Sequence, residues 1–226
     1  MGLIKIIVAL ILFKIFIPAK IKNLIVLPLI FIISGILGKI EYFFQKTNKI
    51  SLLISRFLLK NFYILSLKYK SLDFSKLPSN AIIAVKEHVT LYDWIPFFIH
   101  TNAFFIVKSE MVDNISIINS ILKNFNVINI SKTEQNTERI FNEIQNKQNI
   151  NLILFITGGF NKTEVKSGAF YLSKRTTRPL YSCSISGLPK RWYEPSTHLN
   201  LKIEGPHNFK TIQEFKTFFS STFKTK

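Results

Sequence analysis

Ala81-Ile82-Ile83-Ala84-Val85 is an unbroken apolar run, and the stretch after it, Lys86-Glu87-His88-Val89-Thr90-Leu91-Tyr92-Asp93-Trp94, changes character at once. A short apolar run bounded by polar residues reads as a strand buried on both faces, the kind that fills the middle of a parallel sheet. Chemistry in such sheets gathers where the strands end. This strand end carries a histidine and an aspartate five positions apart.

Those two groups have a defined use together. An alcohol is a weak nucleophile until a base takes its proton, and neutral imidazole is the usual base near pH 7. A carboxylate held against the other ring nitrogen fixes the tautomer and steadies the imidazolium that forms. A helix over Leu91 to His100 would hold Asp93 in its first turn, within reach of His88 in the preceding loop. No serine or cysteine nucleophile sits between the two.

Working outward, strand-like and helix-like patterns alternate. Strands are expected at Ala81 to Val85, Phe104 to Val107, Val127 to Ile130 and Leu152 to Ile156. Helices are expected at Leu91 to His100, Ile115 to Lys123 and Thr133 to Gln145, the last with Glu134 and Glu138 near its positive end. A Gly158-Gly159 turn, a helix near Ala169 to Ser173, strands near Leu180 to Ser184 and Leu199 to Ile203, and a helix from Thr211 to Phe223 follow. The expected fold is α/β: a mixed, largely parallel sheet flanked by helices, preceded by an N-terminal hydrophobic helical membrane segment. Residues 1–45 form that segment and 46–226 the α/β domain.

In the N-terminal segment, residues 3–19 are apolar apart from Lys5 and Lys14, and residues 24–37 carry no charge. As a helix the second run spans about 21 Å, short of the roughly 30 Å hydrocarbon core of a bilayer. A cleaved signal peptide lacks a small-residue cleavage site here. A single span would need the second helix to extend through Tyr42-Phe43-Phe44 with Lys39 reaching to the interface. A helical hairpin dipping into one leaflet, its arms separated by Lys20 and Lys22, is the preferred arrangement. Between Ile50 and Tyr69, apolar positions interleaved with Arg56 and Lys60 give an amphipathic helix leading into the domain.

Composition narrows the partners. Lys plus Arg total 30 against 13 Asp plus Glu, a net charge of +17, so polyanions are attracted. Before residue 80 the only acids are Glu41 and Asp73, and this basic region is also the most apolar, which suits an anionic membrane surface. No nucleic-acid motif accompanies the charge, and nucleic acid is not expected as a partner. The single cysteine, Cys183, excludes an internal disulfide and sits in a strand pattern as a buried thiol. His100, His198 and His207 lack ligand spacing, so no metal and no bound cofactor are expected.

The order of motifs resembles the glycerolipid acyltransferase family that makes phosphatidic acid and remodels lysophospholipids. It runs His88-x4-Asp93, then Lys108-Ser109-Glu110, then Phe155-Ile156-Thr157-Gly158-Gly159-Phe160, then Lys166-Ser167-Gly168-Ala169-Phe170, over roughly residues 75–206. Two blocks depart from that family. Its Pro-Glu-Gly-Thr-Arg is here Ile156-Thr157-Gly158-Gly159-Phe160, and its Gly-x-Ile/Phe-x-x-Asp-Arg-like block is Asn126-Val127-Ile128-Asn129-Ile130-Ser131-Lys132.

The resemblance implies a membrane-associated O-acyltransferase with its active site on the cytoplasmic face. It would move a fatty acyl chain from acyl-CoA or acyl carrier protein, as co-substrate, to a lysophospholipid such as lysophosphatidate. His88 and Asp93 would be catalytic, without a covalent acyl-enzyme. Lys108, Thr157, Gly158, Gly159, Lys162 and Lys166 are the expected substrate-binding positions, the two last standing in for the missing arginine as point charges. Asp93-Trp94 and Lys108-Ser109-Glu110 look more like the lysophosphatidate and lysocardiolipin branch than the glycerol-3-phosphate branch. The alternative, motivated by the altered glycine block, is a catalytically impaired relative that binds lipid or acyl chains.

Overall fold

The computed structural model describes residues 18–45, 49–63, 77–86, 93–108, 127–130, 134–147, 149–158, 164–187 and 200–221. Ile82–Val85 (β1) lies inside a six-stranded sheet, and all four residues are buried. Ala103–Lys108 (β2), Val127–Ile130 (β3), Asn151–Phe155 (β4), Leu180–Ser186 (β5) and Asn200–His207 (β6) complete it in the order β3-β2-β4-β1-β5-β6. Every neighbouring pair is parallel except β5 with β6, so the mixed, largely parallel sheet is as expected. The last strand is longer than the sequence pattern suggested, reaching His207 rather than Ile203.

Strand alternation divides the apolar residues of β1 between two cores. Ile83 and Val85 join one with Leu27, Phe97 and Phe105, under Ala19–Gln45 (α1), Lys49–Leu58 (α2) and Ile95–His100 (α3). Ile82 and Ala84 join the other with Ile144, Phe170 and Phe215, under Glu134–Gln145 (α4), Gly168–Thr176 (α5) and Ile212–Ser221 (α6). The helix expected at Ile115 to Lys123 lies outside the described residues.

The second apolar run of the N-terminal segment forms a longer helix than expected. Lys20 and Lys22 lie within α1 rather than at a break, and the helix passes Leu37 and runs to Gln45. Leu24–Phe44, 21 residues, is long and apolar enough to cross a membrane. That is about 31 Å of helix, which removes the length objection to a span. Residues 3–17, the other expected arm, lie outside the described residues. The continuity of α1 has a local cause in Glu41, the first acid of the chain. It is buried, and its two carboxylate oxygens accept the Ile50 and Ser51 N–H groups at 2.9 and 2.6 Å. The charge therefore caps the start of α2 instead of ending α1.

Two arginines join elements across the domain. Arg56 of α2 donates to the Thr101 carbonyl at 3.1 Å and stacks 5.2 Å from the Phe98 centroid, fixing α2 to the end of α3. Arg178, which precedes β5, donates to the Ile144, Lys147 and Ile150 carbonyls at 2.7, 2.8 and 2.7 Å. It ties the carbonyls at the end of α4, where Ile144 also accepts the Lys147 N–H at 3.1 Å, to the turn into β4.

Candidate active site

Parallel pairing gathers the candidate residues at one edge of the sheet. Val85 pairs with Phe155 on one side and with Cys183 on the other. The Val85 carbonyl accepts the Ile156 N–H at 3.2 Å, and the Cys183 carbonyl accepts the Lys86 N–H at 2.8 Å. Val85 and Lys86 thus end β1 beside the Ile156-Thr157-Gly158 turn.

Asp93 is fully buried, and it sits in a turn two residues ahead of α3 rather than in its first turn. Pro96 explains the later start, because proline has no N–H to donate and is accommodated in the first turn of a helix. Trp94 follows at once, with its ring 6.0 Å from Phe31 of α1, 5.7 Å from Phe98 and 6.0 Å from Phe105. The long apolar helix therefore packs directly against the residue next to Asp93.

Thr157 is buried at 1% exposure, beside the end of β4. Gly158 has φ 63°, the left-handed region where glycine has no penalty, and its N–H donates to the Phe155 carbonyl at 2.9 Å, closing a tight turn. The Lys166 N–H donates to the Ile156 carbonyl at 2.8 Å, so the backbone returns to the same strand end. Its ammonium is half-exposed and paired with Glu164. Lys108 is the last residue of β2 and pairs in register with Ile130 of β3. His88, Gly159 and Lys162 lie outside the described residues. Thr157, Gly158 and the Lys166 backbone are thus brought to the strand-end edge, and Asp93 is buried in the turn ahead of α3.

Sequence reasoning passed over a second charged group at this edge. Lys86 is buried at the end of β1, with its ammonium 3.5 Å from a Glu204 carboxylate oxygen. Strand alternation was the available signal, since Lys86 continues the Ile82 and Ala84 face. Beside it, burial pushes the Cys183 thiol up to about 12 despite the opposing Lys86 charge, so it is not a nucleophile there. Among the described residues, no three His, Cys, Asp or Glu side chains gather as metal ligands.

The chain matches the acyltransferase family over residues 70–186. Its structure is similar to that of the 1-acyl-sn-glycerophosphate acyltransferase PlsC from Thermotoga maritima, with a TM-score of 0.63 and 16% identity over 92% of this chain and 95% of that one. Among curated proteins no match is found. The family match takes in β1 to β5, the His88-x4-Asp93 segment and the glycine turn, more than half of the sequence, and the chain belongs to the acyltransferase family.

Proposed function

We propose that this protein is a membrane-associated O-acyltransferase that moves a fatty acyl chain from a thioester donor, acyl-CoA or acyl carrier protein, to the free hydroxyl of a lysophospholipid such as lysophosphatidate. The observation that carries the reading is the fully buried Asp93, whose neighbour Trp94 packs against Phe31 of the apolar α1 helix. A membrane lipid would then meet the site without first crossing water.

In this mechanism His88 takes the proton of the acceptor hydroxyl, and Asp93 orients the imidazole. The hydroxyl oxygen adds to the thioester carbonyl, and a lysine or a backbone N–H other than those of Ile156 and Gly158, which serve the turn, offsets the oxyanion. Collapse breaks the carbon–sulfur bond, and the imidazolium returns its proton to the leaving thiolate. Lys108, Lys162 and Lys166 supply positive charge for phosphate on acceptor or donor. Thr157 offers a hydroxyl where the resembled family has a carboxylate. Its contribution is confined to hydrogen bonding. The active site faces the cytoplasm in this reading, where both donors are found.

The test is acyl transfer to a panel of lysophospholipids and glycerol 3-phosphate, from labelled acyl-CoA and acyl carrier protein, with product identified by mass spectrometry. Transfer to lysophosphatidate by the wild type, lost in His88→Ala, is the expected result. Folded wild-type protein that transfers to none of them would favour the lipid-binding alternative.

A further inference from the structure

Arg56 of α2 is only partly satisfied by the protein. One guanidinium nitrogen donates to the Thr101 carbonyl at 3.1 Å and the group rests 5.2 Å from the Phe98 centroid, but its Nε is buried without a hydrogen-bond partner. An unmade hydrogen bond on a buried charged group is costly. Two more basic side chains stand beside it. Lys60 is exposed in the π-helical turn Leu59–Tyr63 that continues α2, four residues after Arg56. His100 ends α3 next to Thr101 and reaches solvent. Partial burial first, and then the Lys60 charge, hold its imidazole below the ordinary range, and no carboxylate opposes them.

The cluster is uncompensated. Lys86, Lys147, Lys166, Arg175 and Lys202 each have a carboxylate partner, whereas among the described residues neither Arg56 nor Lys60 has one. Its surroundings are apolar and open. Ile50, Leu53 and Phe57 are 53%, 69% and 63% exposed, and their spacing of three and four puts them on one face of α2. Lys60 continues that spacing, so the apolar ridge ends in the cations. The cluster is also remote from the chemistry. α3 leads into β2, which places Thr101 at the edge where the strands begin, while Thr157 and Gly158 lie where they end.

Guanidinium offers planar N–H donors that match phosphate oxygens, and lysine adds a point charge. A free anion would use the cations and leave the ridge in water. An anionic amphiphile uses both. Resting on the membrane-associated reading above, we propose that Arg56, Lys60 and His100 form a phosphate-binding site for an anionic phospholipid of the membrane, whose acyl chains lie along Phe57, Leu53 and Ile50. This lipid is an anchor and not a substrate, and it seats the α2 face on anionic bilayers.

The experiment is binding of the full-length protein to vesicles of phosphatidylcholine, with and without phosphatidylglycerol, for wild type, Lys60→Gln, Arg56→Gln and Lys49→Gln. Lys49 is an exposed lysine at the start of the same helix and reports diffuse attraction. Wild type should prefer the anionic vesicles. Lys60→Gln and Arg56→Gln should each weaken that binding about fivefold or more and leave binding to neutral vesicles unchanged, and Lys49→Gln should lose distinctly less. Should Arg56→Gln fail to fold, the exposed Lys60 decides alone. In an NMR titration, soluble short-chain phosphatidylglycerol should raise the His100 pKa, because a bound phosphate favours imidazolium, and inorganic phosphate at the same concentration should not. Equal losses in Lys49→Gln and Lys60→Gln, or an equal shift by inorganic phosphate, would overturn the lipid site. Wild type that binds neutral and anionic vesicles alike would overturn it too, leaving membrane association standing. Binding to neither would overturn both.

Discussion

The two faces of the sheet are equally apolar within and opposite without. On the α1–α2–α3 side, outward positions of α1 carry Leu29, Ile32 and Ile36, each about half exposed, and Phe43 and Phe44 near its end at 73% and 76%. On the α4–α5–α6 side, outward positions carry Glu138, Arg139, Lys174, Arg175 and Glu214, with Arg175 paired to Glu138. Inner packing is indifferent to what lies beyond the helices, but outer composition is not. One layer presents charged side chains outward and the other, along α1, presents apolar ones.

The largest effect should come from inverting the first face. Ile32→Lys with Ile36→Lys places two charges mid-helix, at roughly 2.5–3.5 kcal/mol each if that surface meets hydrocarbon. Flotation with vesicles should then fall steeply, while Asn142→Lys, on the outer face of α4, should float as the wild type does. Equal flotation by all three would break the contrast.

Arg178→Ala attacks the second face from within. It removes the donor to three carbonyls, of which that of Ile144 keeps the Lys147 N–H, and denaturant unfolding should show a loss on the order of 2–4 kcal/mol. Glu41→Ala does the same on the first face through two N–H groups, and about 1–2 kcal/mol is expected, because one cap is lost without a buried cation being removed. A Glu41 variant as stable as the wild type would mean that water replaces the cap.

The smallest effect is one of pH. Burial is the first cause that lowers both His100, on the first face, and His207, on the second, below the usual 6.5. A histidine lowered by folding contributes stability that is present above about pH 6.5 and is lost as pH falls through the folded value. The melting temperature should hold from pH 8 to 7 and decline below 6.5, and His207→Gln should remove part of the decline. A melting temperature that rises on acidification would contradict this sign.

Much of the fold was legible because its signals are local. Runs such as Ala81 to Val85 and Leu152 to Ile156 read as strands by their own composition, and the alternation with helices leaves few topologies. Where reading failed, a residue's meaning lay in a distant partner. Glu41 reads as the end of an apolar run until the α2 N–H groups are seen to need it. Asp93 reads as helical until Pro96 sets the start of α3. Lys86 and Glu204 are far apart in sequence, and the β1–β5 and β5–β6 pairings bring them together. The candidate site was legible as motif order, but the burial of Asp93 and Thr157 was not, because that depends on layers contributed by several segments.

In the proposed mechanism His88 and Asp93 carry direct acyl transfer from a thioester to the acceptor hydroxyl. The most direct measurement is thiol release from acyl-CoA or acyl carrier protein in the presence of lysophosphatidate, with vesicle-bound wild type, His88→Ala and Asp93→Asn of matched melting temperature. Acceptor-dependent release by the wild type, absent in His88→Ala and slowed by orders of magnitude in Asp93→Asn, is the predicted result. Release that persists at the wild-type rate in either variant would contradict the claim.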